Sequence, residues 1–220
     1  MLAETKADFP MSTSSSPVSA WLGRAVVEGV LIVFAVVLGF VVNEWRETVA
    51  DRQAAEDAMV RVAAEIEDNI AQLEAVVVYH EGVVALISDR LDEIESGDGP
   101  VRGIVFDEFP RILPRGINAP GLSDFAWTHA QQHGQLDVLP YELVAGTARI
   151  YEMQASGVES TWRQIVELLF AGPNIMREQD LAPSLRFTQV GFSELASQER
   201  FLLEHYRSQL ERLDEAGLRR

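Results

Sequence analysis

The stretch from Gly29 to Val42, preceded by Ala25, Val26 and Val27, is apolar at every position, and Trp21 and Trp45 bracket it. A helix apolar on all sides has no face it can turn to water, so it must be enclosed by protein or by lipid. Between the tryptophans such a helix is about 36 Å long, which matches a hydrocarbon core of about 30 Å plus part of each headgroup layer, where tryptophan concentrates. The sequence therefore predicts a transmembrane helix over 21–45, in contact with the lipid bilayer and anchored by Trp21, Arg24, Glu28 and Trp45. A cleaved signal peptide fits less well. Lys6 and Arg24 are offset by Glu4 and Asp8, the apolar run exceeds a secretory core, and Val42-Asn43-Glu44-Trp45 has no small-x-small cleavage pattern.

Within the span, Arg24 and Glu28 stand four residues apart, the spacing of an interfacial pair whose ends reach the headgroups. Ala25/Gly29 and Ala35/Gly39 are small-x-x-x-small pairs that permit close helix approach, so Ala35 and Gly39 are the candidate helix–helix packing residues. Residues 1–20, with Ser12, Ser14 to Ser16, Pro10 and Pro17, lack periodicity and read as a disordered tail. Arginines flank both ends of the span, so a Lys/Arg count gives no orientation. Residues 46–220 carry 30 acidic against 16 basic side chains, a net charge of −14, which an anionic cytoplasmic leaflet repels. That favours a cytoplasmic N-terminus with the following domain outside. The same field repels phosphate backbones, which argues against nucleic-acid binding. No cysteine is present, and with it go disulfides, Cys-ligated metals and thiol catalysis.

After the span, Met59, Val62, Ile66, Ile70, Leu73, Val77, Val84, Ile87, Leu91 and Ile94 recur at steps of three and four, with His80 in the one vacant seam position. This predicts an amphipathic stalk helix over 46–96, about 75 Å long if helical throughout, in which His80 is a hydrogen-bonded register residue. Ser96-Gly97-Asp98-Gly99-Pro100 ends it. Residues 97–122, rich in glycine and proline but also in Phe106, Phe109, Ile112 and Leu113, read as an ordered loop folded on the bundle or, alternatively, as a partner-docking loop with Arg111 and Arg115 exposed. Helices resume over 123–220: one from Ser123 as N-cap to Gly134, one from Pro140 to about Phe170, an irregular piece interrupted by Pro183, and a last helix from about Phe192 to Ala216. The fold class is thus all-α: a transmembrane helix continuing into a long stalk, packed with shorter helices as an antiparallel bundle.

Glu28-Gly29-Val30-Leu31-Ile32-Val33 and Asn43-Glu44-Trp45-Arg46-Glu47, followed by an acidic–basic helix, resemble a group of uncharacterised bacterial single-pass membrane proteins defined as a domain of unknown function. The similarity extends weakly to Trp127-Thr128-His129-Ala130, Gly134-Gln135-Leu136 and Tyr141-Glu142-Leu143-Val144, with Tyr151 and Gln154 beyond. The resemblance implies a helical domain anchored in the bacterial inner membrane, and no established activity.

No nucleophile elbow, phosphate-binding loop or dinucleotide fingerprint occurs, and no cofactor is implied. His129 and His133 are spaced for one metal but lack the glutamate of zinc-protease or di-iron patterns, which leaves them weak metal candidates and ordinary surface histidines. Trp127, Tyr141 and Tyr151 are core aromatics or, alternatively, the lining of a ligand cavity. The leading expectation is a non-enzymatic, membrane-tethered interaction or scaffold protein that meets a partner, or another copy, through its span and stalk. An extracytoplasmic sensory bundle and an unrecognised metal-dependent enzyme are the alternatives.

Overall fold

The computed structural model describes residues 17–170 and 173–219, with the side chains of 17–23, 25, 173 and 174 excluded. Of the tail predicted over 1–20, residues 1–16 lie outside the described residues, as does the Trp21 side chain, whereas residues 17–20 already belong to the helix α1. Among the described residues the regular structure is helical apart from one two-stranded sheet. Its elements are α1 (Pro17–Ser96), β1 (Arg102–Ile104), α2 (Val105–Ile112), α3 (Phe125–Gln132), α4 (Tyr141–Met153), a π-helical turn (Gln154–Glu159), α5 (Ser160–Phe170), a 3-10 turn (Pro173–Met176), β2 (Glu178–Asp180) and α6 (Leu181–Glu215). It divides at Ala50 into two units.

The described part of the first unit is the N-terminal portion of α1, in which Val30, Phe34 and Phe40 are each more than 60% exposed. Among the described residues one helix is long and apolar enough to cross a membrane, and its apolar stretch begins at Val26. A Cβ added at Gly29 or Gly39 meets nothing. Arg24 and Glu28, expected to pair, are both exposed, and among the described residues no ion pair joins them.

The second unit is a bundle over 51–220. Of the predicted stalk seam, Met59, Val62, Ile66, Leu73, Val77, His80, Ile87, Leu91 and Ile94 are buried, and Ile70 and Val84 are half-buried. The seam is covered by the chain itself, chiefly by α6, whose buried Leu195, Leu202, Tyr206, Leu210 and Leu213 form the opposing face. Met59, Val62 and Ile66 have no exposed surface. α6 runs antiparallel to α1, and the register is written on the surface. Glu95–Arg186, Glu81–Arg200 and Glu74–Arg207 pair across the helices, each step of fourteen or seven residues on one helix matched by the same step on the other. Most of these side chains are half exposed, so each pair contributes about 0–1 kcal/mol and serves register more than stability. Burial of the leucine seam, at about 1.5–3 kcal/mol per fully covered side chain, is what holds the helices together.

Several boundaries differ from expectation for local reasons. α6 begins eleven residues earlier than Phe192, because Pro183 lies in its first turn, where a missing N–H costs no intrahelical bond. The loop 97–122 contains β1 and α2, and Pro110 sits inside that short helix. β1 pairs antiparallel with β2, Gly103 opposite Gln179, and the Leu181 N–H donates to the Val101 carbonyl, so the pairing runs directly into α6. The expected stops hold. Gly97 (φ +83°) ends α1, with the amides of Asp98 and Gly99 returning to the Glu93 carbonyl. Gly134 (φ +62°) ends α3, with Gln135 N–H on the Ala130 carbonyl.

Candidate functional site

Five polar side chains of α1 form three clamps that reach across the bundle and fix the chain from Pro100 to α4. Glu65 is the first. Its carboxylate accepts from the backbone N–H groups of Ala126 (2.9 Å) and Trp127 (3.3 Å), from Ser123 Oγ (2.7 Å) and from Tyr151 Oη (2.7 Å). A carboxylate of another helix thus caps α3, a role the sequence assigned to Ser123, whose hydroxyl accepts only a long bond from Phe125 N–H (3.3 Å). Asn69, one turn on, matches the backbone of Ser123 with both ends of its amide: Nδ2 donates to the carbonyl (2.7 Å) and Oδ1 accepts from the N–H (2.8 Å). Burial, then the hydrogen bond to Glu65, pushes the Tyr151 phenol well above its ordinary range, and burial raises that of Tyr206. Tyr206 in turn donates to Gln154 Oε1, which the π-helical turn carries into the core.

The second clamp is formed by Tyr79 and His80. Tyr79 Oη donates to the Gly116 carbonyl (2.5 Å) and accepts from Arg115 N–H (3.2 Å), while the Arg115 guanidinium lies 4.1 Å over the Tyr79 ring. His80 is fully buried, and both of its nitrogens face acceptors. Nδ1 meets both oxygens of buried Glu199 (2.9 and 3.0 Å), and Nε2 meets the carbonyls of Ile117 (3.1 Å) and Asn118 (3.2 Å). Desolvation pushes the Glu199 carboxyl above the usual carboxylate range, and the bond to His80 opposes that shift. His80 is therefore more than the register residue its place in the seam predicts: it joins α1, α6 and the loop at one point.

Arg90 forms the third clamp, buried to 2% exposure. Its guanidinium takes Glu108 bidentately (Nε to Oε2 2.8 Å, Nη2 to Oε1 3.0 Å) and donates to Glu93 and the Pro100 carbonyl at 3.4 Å. The Glu108 bond raises the Arg90 pKa against the pull of burial, and the Arg111 bond holds the Glu93 carboxyl below its usual range. A side chain at Gly99 would place its Cβ 2.4 Å from Arg90 Nη1, which is why glycine stands there. Arg111 and Arg115 are exposed as expected, and each also contacts the bundle: Arg111 pairs with Glu93 and Arg115 stacks on Tyr79.

The proposed aromatic cavity is not formed by its three residues. Trp127 and Tyr151 are buried and stacked on each other (centroids 5.5 Å apart, rings within 2° of parallel), and Tyr141 is 78% exposed. His129 and His133 stack at the surface, centroids 4.2 Å apart, and His133 Nδ1 binds the His129 carbonyl (2.9 Å). One imidazole nitrogen is thereby committed to the backbone, and among the described residues no group of three metal-binding side chains gathers there or elsewhere.

The open concavity lies at the other end of the bundle. A groove of about 710 Å³ runs between α5, α6 and the start of α2, lined by Val105, Leu168, Leu169, Ile175, Pro183 and Phe187, with Glu167 its one ionisable side chain. Of its lining, Leu168 and Phe187 are exposed, and so are Phe170, Met176 and Val190 in the same stretch of chain. Its volume is in the range of ligand and peptide pockets, and its composition suits an apolar group better than a reaction. Sequence reading missed it because its lining, Val105 apart, falls in the irregular stretch 164–188, whose apolar residues share a face only once α5 turns back into α6. The fold and these sites define a helical bundle bearing one long apolar helix. No family model, no curated protein and no solved structure matches the chain.

Proposed function

We propose that the chain is a membrane-anchored interaction protein: the apolar helix around 26–42 holds it to the bilayer, and the bundle presents the α5–α6 groove to a protein partner. The groove carries this reading. Large apolar side chains remain uncovered there, whereas the interior is filled by leucines and by polar clamps that are already satisfied. Residues 51–220 hold 29 acidic and 15 basic side chains, a net charge of −14, so the complementary partner surface is apolar with a cationic rim. The sensory reading loses its specific support, because Trp127 and Tyr151 fill each other's space. Orientation follows the charge argument, with the bundle on the extracytoplasmic side of a bacterial inner membrane.

A photo-crosslinker at Phe187, compared with one at Glu215 in the same membranes, tests the docking face. The reading requires a defined adduct at Phe187 that Leu168→Asp abolishes without loss of helical signal. An adduct insensitive to Leu168→Asp, or none at all, refutes it. A C-terminal reporter active only in the cytoplasm tests the orientation, and activity there reverses it.

A further inference from the structure

From the geometry around α1 and α6 we infer that His80 and Glu199 form a proton-gated clamp on the α2–α3 loop, closed while the pair shares one proton and opened when that proton leaves. Carbonyl oxygens only accept, so His80 Nε2 must carry a hydrogen to hold Ile117 and Asn118. The ring's other nitrogen and the carboxylate then have one proton between them, whichever side it sits on. In that state the buried pair is neutral overall. Remove the proton, and a carboxylate with no exposed surface confronts a nitrogen lone pair at 2.9 Å.

The surroundings leave that charge without relief. The charged group acting on the pair from outside is Glu81 on α1, which adds to the repulsion on Glu199 and is itself ion-paired to Arg200 on α6. From the loop side Arg115 is engaged on the neighbouring Tyr79 ring, and Phe192 of α6 packs against the imidazole. What gives way is the loop. Asn118 is held at φ +53°, the one non-glycine residue in the left-handed region among those described, and its carbonyl is one of the two that His80 retains. A buried carboxyl with a raised pKa favours the folded arrangement on the acid side, with stability lost as pH rises through its folded-state value.

Arg115–Gly116, in the exposed part of this loop, supplies a reporter, since trypsin cuts there once the loop leaves Tyr79 and His80. Full-length protein in detergent is digested from about pH 7 to about pH 9 beside E199Q, whose amide can donate to Nδ1 but has no carboxyl proton to lose. Taking the ratio to E199Q cancels the protease's own pH profile. Wild-type cleavage at Arg115–Gly116 relative to E199Q should rise about tenfold across the window. A constant ratio overturns the clamp. If E199Q lacks the wild-type helical signal, amide exchange of Ile117 and Asn118 in wild type decides instead. Their protection must fall with pH relative to the core amides of α6, and parallel behaviour overturns the inference.

Discussion

Replacing Glu65 by alanine removes one side chain and unsettles three segments at once. Four donors lose their acceptor: the amides of Ala126 and Trp127 that open α3, the Ser123 hydroxyl and the Tyr151 phenol. Loss of a helix cap costs about 1 kcal/mol, and the Tyr151 hydroxyl, on a residue only 5% exposed, is left without its partner at about 1–3 kcal/mol more. Hydrogen bonds to a charged group are worth about 1.5–3 kcal/mol each, but water reaches Ser123 and the helix end, so these donors do not count in full. The sum expected for Glu65→Ala is about 3–5 kcal/mol. Glu65→Gln keeps one acceptor oxygen and should lose about half as much. Urea unfolding followed by circular dichroism gives the global value, while Trp127 fluorescence reports locally, since its ring stacks on Tyr151. A loss below about 1 kcal/mol for Glu65→Ala, with Trp127 emission unchanged, would show that water replaces the carboxylate freely and that the reasoning about a buried cap is wrong.

Leu73→Asp places a charge at a position with no exposed surface and should cost about 3–5 kcal/mol in the same urea assay. Gly99→Ala drives a methyl into the Arg90 guanidinium while leaving a backbone that alanine tolerates; a loss of about 1–3 kcal/mol is expected, and it should largely vanish in an Arg90→Met background. The Tyr151 phenol is raised in the folded state, so its contribution is complete below its ordinary value of about 10 and is lost as pH climbs beyond it. Alkaline titration of stability should therefore be shallower for Tyr151→Phe. In the first unit, Gly39→Ile adds bulk where nothing lies within 4 Å, so bundle unfolding should be unchanged and only cross-linking between spans, if these helices associate through Ala35 and Gly39, should fall.

The sequence alone determined what periodicity and solvent dictate. An apolar run without a polar face, the three-and-four spacing from Met59 to Ile94, and the glycines at 97 and 134 each act through the backbone within a few residues, so all were legible before the fold was known. The buried face of α6 at Leu195, Leu202, Tyr206, Leu210 and Leu213 was legible for the same reason. What only tertiary structure decided is where the polar exceptions go. Glu65, Asn69 and Arg90 look in sequence like members of a solvated acidic–basic helix face, and what half-buries Glu65 and buries Asn69 and Arg90 is engagement with Tyr151, Ser123 and Glu108, which lie 18 to 86 residues away. Histidine at a seam position is the same letter whether it packs or pairs; only the approach of Glu199 and the Ile117–Asn118 carbonyls made it a clamp. The groove also belongs to the assembly, because Val105, Leu168 and Phe187 become one surface only after β1 and β2 bring the start of α2 against α5 and α6. Local patterns encode which face a helix buries, but the partner of a buried charge is fixed by long-range packing, which a single strand of letters leaves open.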